Sequence, residues 1–305
     1  MRDEASAIAY LQRLFFVRAE GEIGIGDDAA ILRASGSVVW TIDEQAENTH
    51  FRRDWLSWKD VGYRSFVAAV SDIAAMGAVA THALTALALP LDFRDEDFLS
   101  IAEGQAEAAR ATCVRIVGGN MARATEAHVT TTVIGNGSKP ILRSGAKVGD
   151  GVFVAGTLGL AGLGMRALER NVKDAKVARA VSAWRRPPIL IDASKTMSAH
   201  ASAAIDVSDG LARDLAHVAE ASRARIALDE AALLAIAKSC GAEEAARALG
   251  EDVLDAILHG GEDYALVVTC DREIEGFSRI GSVVAGKAGV TIDSVEIEPR
   301  GFDHF

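Results

Sequence analysis

The chain has 305 residues, half of them hydrophobic and a quarter charged, with a formal net charge of −11. This length suits one large or two medium domains with an ample core. The acidic balance excludes a uniformly basic nucleic-acid surface, but it leaves phosphorylated ligands open wherever metal ions stand between the negative partners.

In chain order, EASAIAYLQRLF has the apolar spacing of a helix and GIGDD follows as a turn. AAILRA and SVVWTID read as short strands separated by Gly36. Residues 58–77 read as a helix ending near Gly77, HALTALALP as a strand closed by Pro90, and 94–112 as a helix. VRIVGG and AHVTTTVIGNG supply two more strands. The turn-rich NGSKPILRSGAKVGDG marks a domain boundary near residue 140, giving domains 1–140 and 141–305. VFVAGTLG restarts with a strand, and 160–184 reads as helical up to Pro187-Pro188. SAAIDVSDGLARDLAHVAEAS reads as strand, turn and helix, ARIALD as a strand, and 230–257 as mostly helical. DYALVVTC, SRIGSVVAG and GVTID are late strands. Helices and strands mix in both halves without the regular alternation of a Rossmann sheet, so the expected class is α/β of mixed type.

Cys113, Cys240 and Cys270 are too scattered for a disulfide framework or a zinc site, which fits a reducing cytoplasm. MRDEASAIAY lacks a signal-peptide pattern. The most apolar stretch, 67–90, would place Asp72 in lipid if it crossed a membrane, so no membrane association is expected.

Acidic residues gather at turns. Asp27 and Asp28 follow Gly26, Asp43 ends a strand, and Asp206 and Asp209 bracket the turn in AIDVSDG. Asp72 has Ala68, Ala69, Ala75 and Met76 one helical turn away, so its charge calls for a hydrogen bond or a metal ion. In VSDGL, Ser208 or Asp209 could simply cap the following helix, or the helix N-terminus could hold phosphate through its amides. GIGDDAA alone is a β-turn with two solvated acids, and its GxG lacks the rest of a dinucleotide fingerprint. Carboxylates converging from several turns would suit magnesium on a triphosphate, with Arg143 stabilising charge on the transferred phosphoryl group. Against this, Arg143 alone is an exposed linker arginine. His50 could donate to a phosphate or pack beside Phe51, and Phe302 could be a docking anchor or a stacking ring.

Taken together, GIGDDAAIL, TIDEQAENTHF, SDIAAMGA, GGNMAR, RSGAKVGD, AIDVSDGLARDL, GGEDYAL and the terminal GFDHF resemble the thiamine-monophosphate kinase family of the aminoimidazole-ribonucleotide-synthetase-like superfamily, nearly end to end. The resemblance implies a two-domain α/β fold whose N-terminal strands build a barrel in a homodimer. It implies transfer of the ATP γ-phosphate directly to thiamine monophosphate, with several Mg2+ ions. Matched position by position, the metal ligands would be Asp28, Thr41, Asp43, Asp72, Asp206 and Asp209, with Asp27 beside them. ATP would meet Gly119, Asn120, Arg143 and Ser208. The substrate would meet His50, Glu262 and the ring of Phe302. Asp43 and Arg143 would carry catalysis by alignment and charge neutralisation.

The chain departs from the family pattern at several of these places. Asn120 stands where the family has aspartate, and Ile42-Asp43-Glu44 replaces its TDT. MARA replaces TTRG, keeping Arg123, and Ala265 replaces a glutamate. Glu44 could restore the charge missing at Asn120 only if the two lie close. These changes leave two alternatives beside thiamine monophosphate: a kinase for another small phosphorylated metabolite, or a nucleotide-binding relative with weak catalysis.

Overall fold

The computed structural model describes residues 4–15, 25, 32 and 36–301. The expected strand AAILRA, the turn carrying Asp27 and Asp28, and Phe302 lie outside the described residues, apart from Leu32. Chain contacts divide the molecule into two units. One comprises Met1–Ile73 and Ala78–Lys139, the other Ala74–Gly77 and Pro140–Phe305.

The first unit contains α1 (Glu4–Phe15), β1 (Ser37–Ala46), α2 (Trp58–Ala75, whose last turn belongs to the second unit), β2 (Val79–Leu89), α3 (Asp95–Thr112), β3 (Arg115–Arg123) and β4 (His128–Gly137). The four strands form one open sheet in the order β1-β4-β2-β3, with only β2 and β3 parallel. β4 alternates buried and half-buried residues, as a sheet covered on one face should. Val129, Thr131 and Val133 face inward and are fully buried. Helices cover this face: Asp72 of α2 meets Thr41 of β1, and Gln105 of α3 meets Thr85 of β2. The other face carries Val38, Trp40, Ile42 and Leu84, all exposed. Ile42, Thr132 and Leu84 share one register row across it.

α2 and α3 touch through two glycines. A Cβ on Gly62 would lie 2.0 Å from the Ile101 carbonyl oxygen, and one on Gly104 would lie 1.9 Å from that of Lys59. Asp95, Glu96 and Asp97 fill the first turn of α3, where negative charge complements the helix dipole. Cys113, at φ 56°, ends the helix in a left-handed cap.

The second unit holds β5 (Gly151–Ala155), α4 (Leu160–Glu169), α5 (Ala178–Arg185), α6 (Ile191–Met197), β6 (Ala203–Val207), α7 (Leu211–Ser222), β7 (Arg225–Leu228), α8 (Glu230–Cys240), α9 (Ala242–Leu249), α10 (Val253–His259), β8 (Ala265–Cys270), β9 (Ser278–Val284), β10 (Gly289–Ile292) and β11 (Val295–Glu296). Its mixed sheet runs β11-β10-β7-β9-β5-β8-β6. β5, β6 and β8 are buried along their whole length, which explains their unbroken apolar runs. Val152, Val154, Ile205, Val207 and Val267 face a large core shared with α4 and α7. Phe153, Ala204, Leu266 and Val268 face a second core with Ile141, Met197 and the end of α2.

The helices expected across 160–184 are α4 and α5, parted by a turn. Asn171 turns at φ 53°, and α5 folds back on α4, where Gly164 lets the Ala180 carbonyl approach. α6 and the two-residue β11 are elements the sequence pattern does not reveal. Among the described residues, no helix is long and apolar enough to cross a membrane. Cys113, Cys240 and Cys270 are free thiols.

Candidate active site

The candidate residues fall into two groups, one in each unit. In the first unit, strand alternation puts Thr41 and Asp43 on the helix-covered face of β1. The Thr41 hydroxyl donates to Asp72 Oδ2 at 2.5 Å. Two residues assigned to metal binding thus meet across 31 positions of chain. Asp72 is thus a hydrogen-bonded aspartate on a half-open helix face, the plainer of its two readings. Asp43 shares a register row with Thr131, Thr85 and Gly119. Gly119 and Asn120 are exposed on β3, the last strand of this sheet among the described residues. A Cβ on Gly119 would lie 2.0 Å from the Thr85 carbonyl oxygen, so only glycine fits.

His50 sits on a short loop pinned from both sides. The Ala46 N–H donates to His50 Nδ1 at 3.0 Å, which leaves the ring proton on Nε2 as a donor. Asn48 turns at φ 64°, its N–H donating to the Phe51 carbonyl. Glu47, 7 % exposed, accepts from Arg53 Nε at 2.5 Å, Arg53 Nη2 at 3.1 Å and the Ala127 N–H at 2.8 Å. Glu47, the Asn48 turn and the His50 ring hold the loop together.

Glu44 does not stand in for the acid missing at Asn120. The row Glu44–Thr130–Ala86–Asn120 separates them by three strand spacings, about 14 Å. Glu44 instead accepts from Thr130 at 2.9 Å and pairs with His128 at 3.2 Å. Burial raises its carboxyl, but these two partners and nearby His50 outweigh it and hold the group below its ordinary value.

In the second unit the VSDG turn and the GGEDY motif are bound together. The Glu262 N–H donates to the Ser208 carbonyl at 2.7 Å, and the Tyr264 N–H to that of Val207 at 2.8 Å. Gly261, Glu262 and Tyr264 all have φ between 48° and 64°, a left-handed run that costs energy for the two non-glycine residues. Gly261 is required twice, because a Cβ there would also lie 2.7 Å from the Ser208 carbonyl oxygen. Asp263, between the strained pair, is fully buried. Its carboxylate accepts the Gly159 N–H at 2.5 Å and the Ala161 N–H at 3.0 Å, capping α4 from 104 residues away. The Tyr264 hydroxyl donates to Glu262 Oε2 at 3.3 Å.

Neither Ser208 nor Asp209 caps α7. The N-cap is Gly210, at φ 125°. Asp214, in the first turn, bends back so that its Oδ2 accepts the N–H groups of Ser208, Asp209 and Gly210 at 3.1–3.2 Å. Those amides are therefore not open to a phosphate, and the turn presents side-chain oxygens instead. Burial, with the charges of Asp206 and Asp209, pushes the Asp214 carboxyl up to about 8. Asp206 is buried beside it on β6, and Arg213 lies 3.9 Å from Asp209. Asp214 and Asp263 hold these turns and Arg213 lies beside Asp209, contacts that motif reading passed over. The caps join groups far apart in sequence or a turn away, and only the RD of GLARDL offered a local hint.

Arg143 is exposed, and its carbonyl accepts from Ser222 at the far end of α7. Eleven helical steps, roughly 16 Å at 1.5 Å each, separate that end from the VSDG turn. Within the second unit, the structure does not bring Arg143 to Asp206 and Asp209. Gly301 packs against Asp209, its Cβ position 2.5 Å from that carbonyl oxygen.

Hard oxygen donors in an excess of negative charge fit Mg2+. No three of His, Cys, Asp or Glu among the described residues stand close enough to hold a metal alone. Magnesium accepts such a site, since it usually takes one or two carboxylates and completes its shell with phosphates and water.

The fold and these acidic turns define a class. Residues 26–137 match the family described as AIR synthase related protein, N-terminal domain, and residues 147–294 match its C-terminal domain. Thiamine-monophosphate kinase of Mycobacterium tuberculosis is 37% identical over 278 residues, covering 90% of this chain and 83% of that protein. The Aquifex aeolicus enzyme of the same name is 32% identical over 289 residues, 92% of each. The solved structure of AaThiL complexed with AMPPCP and TMP superposes with a TM-score of 0.84 at 26% identity, covering 100% of this chain and 99% of that one. The chain belongs to the thiamine-monophosphate kinase family.

Proposed function

We propose that the protein is an ATP- and Mg2+-dependent kinase that converts thiamine monophosphate to thiamine diphosphate by direct in-line transfer. Full-length kinship with relatives of that name carries this reading, in a sequence that keeps Asp43, Asp72, Asp206 and Asp209. Asp28, Thr41, Asp43 and Asp72 from the first domain (1–140), and Asp206 and Asp209 from the second (141–305), are the Mg2+ ligands. Bound Mg2+ would neutralise the triphosphate and polarise the transferred group. Gly119, Asn120, Arg143 and Ser208 contact ATP. His50 offers its Nε2 proton to the substrate phosphate, Glu262 faces the cationic ring, and Phe302 stacks on it. Arg143 and Asp43 align the donor and stabilise its charge. The enzyme works in the cytoplasm as a homodimer, with strands of the first domain closing a barrel between copies.

Purified protein with thiamine monophosphate, ATP and Mg2+ should yield thiamine diphosphate and ADP one to one, and a chelator should stop it. Turnover of a different small monophosphate, with none of thiamine monophosphate, would replace this substrate by a paralogous one. The neutral Asn120, out of reach of Glu44, is the feature that favours that second reading. Nucleotide binding without consumption across such a panel would mark a weakly catalytic relative.

A further inference from the structure

Residues 138–150 belong to no helix or strand, so their backbone groups must find partners elsewhere. Ile141 and Ala146 anchor this stretch, each buried in one of the two cores of the second unit. The arch between them, residues 142–145, is exposed and carries Arg143. Ser222, the last residue of α7, meets this arch with its hydroxyl. Its Oγ accepts the Gly145 N–H and the Ala146 N–H, both at 3.1 Å, and donates to the Arg143 carbonyl at 3.0 Å. A hydroxyl has one proton and two lone pairs, so these three bonds use its whole capacity. One residue later Arg223 ends α7 in a left-handed cap, its N–H donating to the Ala219 and Glu220 carbonyls, so the hydroxyl is presented from a fixed helix end. On its other side the arch lies close against the chain before β6. A Cβ on Gly145, at φ 135°, would stand 2.3 Å from the Ser202 carbonyl oxygen.

The clamp sits where its loss would be felt at Arg143 and not in the core. The Leu142 carbonyl has its own tie, accepting the Ala204 N–H at 3.1 Å. Beyond the arch, Asp150 Oδ2 accepts the Lys147 N–H at 2.9 Å. Between these two ties, Ser222 makes the three bonds that set the path of the chain through Arg143. An arginine that stabilises charge on a transferred phosphoryl group has to be placed closely, since a shift of about 1 Å can lower the rate on the order of 10²-fold.

We propose that Ser222 is a positioning residue that fixes Arg143 for phosphoryl transfer. The inference rests on the kinase reading above and deepens it. Ser222 acts through Arg143, with no hydrogen bond left over for ATP or substrate.

The test is a double-mutant cycle on Arg143→Ala and Ser222→Ala, read with thiamine monophosphate, ATP and Mg2+. Ser222→Ala should lower kcat about tenfold, with the KM for thiamine monophosphate within about twofold of wild type. In the Arg143→Ala background the same substitution should lower kcat less than about twofold, because the residue it acts through is already gone. Ser222→Thr keeps the hydroxyl and should restore most of the rate. Ser222→Cys keeps the shape of the side chain but hydrogen-bonds weakly, so it should resemble Ser222→Ala. A general loosening of the fold would instead lower the rate equally in both backgrounds. That result, or a Ser222→Ala enzyme as fast as wild type, overturns the assignment while leaving the kinase reading intact. A wild type that transfers no phosphate from ATP to thiamine monophosphate overturns both.

Discussion

Asp263 lies in the fully buried part of the GGEDY turn. Burial pushes its carboxyl up to about 7, although the N–H groups of Ala161 and Gly159 pull the other way. The folded chain thus holds a proton that the unfolded chain has released. Stability falls as pH rises from the ordinary 3.8 towards 7. Asp263→Asn should flatten that slope in urea titrations at successive pH values. A slope unchanged by the substitution would mean that another group carries it. Asn120 bears on metal affinity instead. Restoring the acid with Asn120→Asp should lower the Mg2+ concentration for half-maximal activity several-fold, since Glu44 lies too far away to take its place. Glu44→Thr should leave that concentration unchanged. These residues also mark the limit of sequence reading. Asp72 was legible because a charge amid alanines needs a partner. Asp263 and Asp214 were not, because the amides they hold become neighbours only after folding.

Among the elements, the crossing of α2 and α3 makes the sharpest demand. Helix propensity alone favours alanine over glycine by about 1 kcal/mol. At Gly104 the sign should reverse, because the new methyl would collide with the Lys59 carbonyl in the facing helix. Gly104→Ala should therefore destabilise the protein by about 2–4 kcal/mol in denaturant melts. A neutral or stabilising result would show that the helices can separate at little cost. Most helices and strands were readable from periodicity, including α2, α3, β4 and the buried runs β5 and β8. The break between α4 and α5 was not, because neither proline nor glycine marks the turn at Asn171. Tertiary packing of Gly164 on α5 decides it. Seven-residue α6 and two-residue β11 are too short to show a period.

For the whole molecule, the exposed face of the first unit's sheet is the main clue to assembly. Trp40 is 67 % exposed and Ile42 69 %, with Val38 and Leu84 beside them. Apolar residues in a contiguous patch of this kind mark an association surface, and a second copy is the partner that kinship predicts. Sedimentation should find a dimer. Trp40→Glu should shift it towards monomer at micromolar concentration, with the far-ultraviolet spectrum retained. A wild-type chain that stays monomeric at high concentration would remove the barrel from the account. The mixed α/β class and the kinase signature were open to inspection in the sequence. The open sheet face was not foreseen residue by residue, since Trp40 and Ile42 look like ordinary strand residues until their side is known.

The last turn of α2 packs with the second unit: Ala74 and Ala75 sit in one core with Ile141, Phe153 and Met197, and Ser194 donates to the Ala74 carbonyl. The polypeptide therefore passes between the units three times, after residues 73, 77 and 139. Two genes split at codon 140 would not encode two self-sufficient halves. The upstream product would carry an orphaned helical turn, and the downstream product a hole lined with apolar side chains. Each would be prone to precipitate when expressed alone. Productive fragment complementation would have to begin with that one turn finding its socket.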